Sequence, residues 1–129
     1  MSSESGAAGI IAAALVAISV VLALLVADVS RLMEARARLT TSADAAALAA
    51  APVTFSPFGG RGSSHAEAST IAAANGAYLL RCDCEVDRSW SARTVVVMVG
   101  MVVDLPLLGQ RELTAVAAAE FRPTAHAGP

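Results

Sequence analysis

Hydrophobic and polar positions divide this chain into zones of different period. Residues 6–27, GAAGIIAAALVAISVVLALLVA, hold no charged side chain, and Ser19 is the one polar side chain among them. As a helix with a rise of 1.5 Å per residue, this run extends roughly 33 Å, the thickness of a bilayer's hydrocarbon core. The Ser19 hydroxyl can bond back to a helical carbonyl. The run is longer than the apolar region of a cleaved signal peptide and no Lys or Arg precedes it, so a retained anchor is expected.

From Asp28 to Ala51 the pattern turns amphipathic without a break, since this stretch has no Gly or Pro. Leu32, Leu39, Ala43, Ala46 and Ala50 recur at helical spacing and form a narrow apolar stripe. Asp28–Arg31 and Glu34–Arg38 stand at ion-pair spacings along the helix. Pro52 disfavours helix at Ala51 and is expected to end it. The reading is one continuous helix, lipid-compatible in its first half and in need of a protein partner in its second.

Residues 52–64, PVTFSPFGGRGSS, read as a loop. Gly60-Arg61-Gly62-Ser63 lacks the Gly-Lys-Ser/Thr ending of a phosphate loop. A second helix is expected from Ser63 or Ser64 to the stop signal Asn75-Gly76. Ser64 and Glu67 would make its capping box, and Ala68, Ile71, Ala72, Tyr78 and Leu79 would supply its buried face. The period then changes to that of strands. Residues 80–87 suit a first strand, and RTVVVMVGMVVD (93–104), dense in β-branched side chains, is the strongest. Asp87 to Ser91 would connect these two, and Pro106 and Gly109 would break the pattern. ELTAVAAAEF (112–121) is compatible with helix or strand and is assigned as a third strand.

The fold class expected is therefore α+β: a long transmembrane helix continuing into a small head with a second helix and an antiparallel sheet of about three strands. The boundaries are a leader at 1–5, the transmembrane helix at 6–27, its soluble continuation at 28–51, the head at 52–121 and a disordered tail at 122–129.

Composition sharpens this in two respects. Hydrophobic residues reach 56% and charged residues only 16%, but aromatics are 4% and alanine supplies much of the excess, so the head's core must be thin. The net charge of −2 offers no basic face, and no nucleic-acid partner is expected. All basic residues are Arg, and Arg31, Arg36 and Arg38 follow the apolar run. By the positive-inside rule they would put the C-terminal part in the cytoplasm.

No constellation for catalysis, cofactor or metal binding emerges. Cys82 and Cys84 are read as strand neighbours whose side chains leave opposite faces, and a disulfide between them would close a very short, strained loop. Small buried residues, a disulfide within or between chains in an exported domain, and metal or redox chemistry all remain open for them. His65 and His126 have no nucleophile at a recognisable spacing. Asp83, Glu85 and Asp87 read as a solvated acidic row, and Trp90 as a hairpin packing residue. In the membrane run, Gly6, Gly9, Ala13, Ala17 and Ala23 lie roughly on one face, a small-residue pattern that allows another helix to approach closely.

The sequence also resembles a known family. The apolar helix followed by ADVSRLMEARARLTTSADAAALAAA is similar to the N-terminal segment of TadE/TadG-like proteins of tight-adherence (Flp) pilus systems. The residues that carry the likeness are Asp28 and Arg31, then Arg36 and Arg38, then the block of residues 43–50 with Asp44. AAANGAYLLRC, VVVMVGMVV and AVAAAEF look like a small actinobacterial TadE-like group associated with secretion-ATPase gene neighbourhoods. The resemblance implies a pilin-like fold and a minor pilin-like (pseudopilin) component, partnered by membrane lipid and by other pilin-like subunits or pilus and secretion machinery. It implies an oligomeric assembly with the head outside the cytoplasm, against the Arg distribution. The Glu that prepilin-peptidase substrates carry shortly after their Gly is absent from residues 6–27, and Glu4 cannot serve. The alternative is a single-pass adaptor or regulator whose cytoplasmic head binds a secretion ATPase.

Overall fold

A computed structural model describes residues 2–55 and 62–124. Helix α1 (Ser2–Val53) is a single element of 52 residues. Helix α2 (Ser64–Ala74) follows, then strands β1 (Tyr78–Asp83), β2 (Arg93–Leu105) and β3 (Gly109–Phe121). The strands form one antiparallel sheet in the order β1-β2-β3. The expected α+β architecture and the third strand are both present.

The apolar segment of α1 stands clear of the head. Ile10, Leu15 and Ile18 are more than half exposed, as they would be if lipid rather than protein were their solvent. Past Ala27 one face becomes buried. Asp28, Ala35, Leu39, Ser42, Ala43, Ala46, Ala47, Ala50, Ala51 and Thr54 follow at helical spacing, and Leu32 is half-buried in the same line. The apolar stripe of the sequence is thus the helix's contact with its own head.

The β2–β3 hairpin lies lengthwise along this face. At one end Leu107 and Leu108, in the turn, bond Asp28. At the other end Arg93 reaches the Thr54 carbonyl. The lengths agree: α1 rises about 39 Å from Asp28 to Thr54, and a strand of β2's length extends about 44 Å. Val95, Val97 and Val99 point to the helices and are at most 1% exposed. Their partners across the ladder are Ala119, Ala117 and Ala115. Valine against alanine keeps the inner surface shallow, so the alanines of α1 and of α2 (Ala68 and Ala72, both 0% exposed) can pack into the same core. A head poor in aromatics closes its core by close approach of backbones rather than by large side chains.

Several local expectations are corrected. Pro52 does not stop α1 at Ala51; it sits inside the last turn, and the helix runs to Val53. There the Thr54 N–H and hydroxyl both donate to the Ala51 carbonyl, a tightened turn that ends the helix. The N-cap of α2 is Ser63, whose hydroxyl accepts from the Ala66 N–H. Glu67 is therefore one residue too far along for a capping box, and the Ser64 hydroxyl donates instead to the Cys84 carbonyl, joining α2 to the end of β1. Asn75 caps the C-terminus as expected. Tyr78 belongs to β1 rather than to the buried face of the second helix. β1 covers 78–83, not 80–87, and its register with β2 slips between Leu79 and Arg81. β3 starts at Gly109, three residues before the expected Glu112. α1 begins at Ser2, within the segment read as a leader. The Gly60-Arg61 part of the glycine-rich loop, His126 and the end of the tail lie outside the described residues.

Candidate functional site

The residues expected to matter gather at the two ends of the covered face of α1 and along its uncovered face. At the membrane end, Asp28 is 2% exposed, immediately after the lipid-compatible run. Its carboxylate accepts the Leu107 N–H at 3.1 and 3.3 Å and the Leu108 N–H at 3.0 Å. The turn of Pro106, Leu107 and Leu108 presents these two N–H groups outward, and Gly109 closes it at φ 71°, a left-handed conformation that favours glycine. One buried carboxylate thereby accepts from two backbone donors that no strand partner reaches. Arg31 donates to the Asp104 carbonyl at 3.5 Å, on the same turn. Asp28 and Arg31 do not pair with each other as their spacing suggested: each is used by the hairpin.

Glu34–Arg38 is paired as expected, but both side chains are well exposed, so the pair adds little stability. Arg36 and Asp44 are exposed. Val29, Met33 and Leu48 are 52%, 69% and 67% exposed on the side of α1 away from the head. Leu22 and Val26 continue that uncovered line into the membrane segment. Gly6, Gly9, Ala13, Ala17 and Ala23 are also exposed, and a methyl group added at Gly6 or Gly9 would meet nothing within 4 Å.

At the far end, Arg93 organises the connection between β1 and β2. Its guanidinium donates to the carbonyls of Thr54, Asp87, Ser89 and Ser91 and lies 5.4 Å from the centre of the Phe55 ring. Trp90 packs edge-on against Phe55 with ring centres 5.0 Å apart, the packing role expected of it. Asp87 accepts from the Ser89 N–H and hydroxyl, which hold its carboxyl below the usual range. Asp83 pairs with Arg81. Two members of the acidic row, Asp83 and Asp87, thus have local partners, and Glu85 is exposed. Nothing in the sequence singled out Arg93, because an arginine before a β-branched run has no signature until the loop folds over it.

Cys82 and Cys84 are joined as a disulfide, with Cα atoms 5.2 Å apart. The expectation of opposite faces fails on two counts. Positions two apart in a strand share a face, and β1 ends at Asp83, leaving Cys84 beyond it. The pair borders a shallow groove with Glu85, Arg93 and Val95. His65 is exposed in the first turn of α2 and does not line that groove.

On the outer face of the sheet the Tyr78 ring lies over Gly100, where a Cβ would stand 2.7 Å from the ring. The Tyr78 hydroxyl donates to Glu112 at 2.6 Å, and this bond to a carboxylate raises the phenol above the ordinary tyrosine range.

Fold and site together define a protein with an N-terminal helix long and apolar enough to cross a membrane and a small α+β head clasped along that helix's continuation. Residues 6–52 match the model of the Tad family, described as "Putative Flp pilus-assembly TadE/G-like". The match covers the membrane segment and the helix that carries Asp28, Arg31, Arg36, Arg38 and Asp44. It bears out the TadE-like resemblance there and supports a component of pilus assembly. No curated protein and no solved structure matches the chain.

Proposed function

We propose that the protein is a structural, minor pilin-like (pseudopilin) component of a type IV or Tad-like pilus assembly or secretion apparatus. It works by helix packing rather than by catalysis. The observation that carries this reading is the unbroken α1: its second half satisfies one face with its own head and leaves Val29, Met33 and Leu48 uncovered on the other. Leu22, Val26, Val29 and Met33 follow at spacings of four, three and four and make one exposed apolar line that another helix can cover, while Leu48 stands apart from it. The partners are sister helices or other pilin-like subunits. Within lipid they approach along Gly6, Gly9, Ala13, Ala17 and Ala23, where small side chains permit backbone contact. The head is extracytoplasmic, a compartment in which a Cys82–Cys84 disulfide persists.

Two measurements test this. Alkaline phosphatase fused after Pro129 is active, and a fluorescent protein that folds only in the cytoplasm stays dark, if the head is exported. Single cysteines at Met33 and Ala13, oxidised in native membranes, crosslink to helices of the pilus machinery. Cytoplasmic fluorescence would sink the pseudopilin reading. It would support instead a single-pass adaptor with its head at a secretion ATPase, the reading that Arg31, Arg36 and Arg38 favour by following the apolar run.

A further inference from the structure

Between Pro106 and Gly109 the β2–β3 turn places two leucines at its tip. Tight turns are ordinarily made of Gly, Pro, Asn, Asp and Ser, yet here Leu107 and Leu108 stand 45% and 51% exposed. The hairpin becomes polar directly behind the tip, with Asp104 on one strand and Gln110, Arg111 and Glu112 on the other, all exposed. Leu105 behind the tip is buried, and the next well-exposed apolar residue along β2 is Val102, at 53%. Its position follows from the clamp: the Leu107 and Leu108 nitrogens lie 3.0 to 3.3 Å from the Asp28 carboxylate. Asp28 is the first charged residue after the apolar run of 6–27. The tip is thus held at the depth where the helix leaves lipid. Leu25, three residues before Asp28 on α1, is 40% exposed at this same level.

We infer that the Leu107–Leu108 turn is a second membrane contact, dipping into the boundary between headgroups and acyl chains of the bilayer that α1 crosses. Asp28 is its positioning residue. The carboxylate sits at the membrane surface without facing water because the turn's own amides hydrogen-bond it in place of water. The occupant is lipid rather than a second copy, because the patch is continuous with the lipid-facing run of α1. A helix with one contact to the bilayer can tilt freely; a second, lateral contact restricts the direction and extent of that tilt. This rests on α1 spanning the membrane, not on the pilus role.

The test uses the full chain in phosphatidylcholine vesicles, oxidised, in a Trp90→Phe background so that one indole reports. A Leu108→Trp variant, and separately Leu107→Trp, is read by emission maximum and by quenching with lipids brominated near the headgroup or deep in the chain. Leu15→Trp marks the buried helix, and the native Trp90, about 40 Å along α1 from Asp28 at the helical rise, marks water. Emission shifted to the blue of Trp90, with stronger quenching by the shallow label than by the deep one, is the expected result. Emission like that of Trp90 without quenching, while Leu15→Trp is quenched, would overturn the inference and leave the spanning helix and the pilus reading intact. A blue shift that grows with protein concentration and is untouched by brominated lipid would also overturn it, assigning the tip to a second copy. An unquenched Leu15→Trp would instead remove the spanning helix itself. Protection of the turn amides from hydrogen exchange in each variant establishes that the clamp has formed.

Discussion

The carboxylate of Asp28 accepts the backbone N–H of Leu108 at 3.0 Å across 80 positions of sequence, and that bond fixes where the head meets the membrane helix. Replacing Asp28 with alanine leaves two partly buried donors unpaired. Bonds to a charged acceptor are worth about 1.5–3 kcal/mol, so the Leu107 and Leu108 amides should lose hydrogen-exchange protection by a corresponding factor. Asp28→Asn keeps one acceptor oxygen and should fall between the two. Equal protection in wild type and Asp28→Ala would show that the turn is held by something else.

Tyr78 is the chain's one tyrosine, so ultraviolet titration of the phenol reads this site alone. Its bond to Glu112 favours the protonated phenol. The contribution is complete below the ordinary tyrosine range and is lost as pH rises through the raised value. Glu112→Ala should return the titration to the ordinary range. Gly100→Ala should do the same, because the new methyl displaces the ring, and overpacking of this kind costs about 1 kcal/mol or more in thermal stability.

Ser42 and Leu39 should respond in opposite directions. Leu39 is 1% exposed and among the largest side chains of the core, so Leu39→Ala should cost about 2–5 kcal/mol in denaturant unfolding of the head. Ser42 is fully buried, and its hydroxyl has no partner among the described residues. Ser42→Ala removes an unsatisfied group and adds helix propensity, and should stabilise by about 1 kcal/mol.

Arg93 should behave as a lock on the far end only. Arg93→Lys keeps the charge but cannot reproduce the planar fork that reaches the Thr54, Asp87, Ser89 and Ser91 carbonyls. Limited proteolysis and hydrogen exchange over residues 87–91 should accelerate, while the amides of Leu107 and Leu108 keep their protection. Loosening at both ends together would mean that the hairpin docks on α1 as one cooperative unit.

Long-period features were legible in the chain because each depends on neighbours close in sequence. The charge-free run of 6–27, the stripe of Leu39, Ala43, Ala46 and Ala50, the Asn75 stop of α2 and the β-branched run of β2 each carry their own periodicity or cap. The third strand was ambiguous for the same reason: alanine expresses little local preference, and β3 is a strand because Val95, Val97 and Val99 offer it a ladder. Pro52 misled because its bias against helix at Ala51 is a preference that packing can override, and Ala50 and Ala51 are buried against the head.

Local sequence by itself determined that a membrane-compatible helix runs on into an amphipathic one, and that a helix and strands follow. Only the tertiary structure decided what those residues hold. Asp28 and Arg31 stand at the spacing of a helical ion pair, yet a turn nearly eighty residues away outcompetes that pair, because buried backbone donors must find an acceptor and an exposed ion pair gains little. The stripe on α1 announced that something must cover it; folding chose the protein's own hairpin, whose length roughly matches the covered part of that helix.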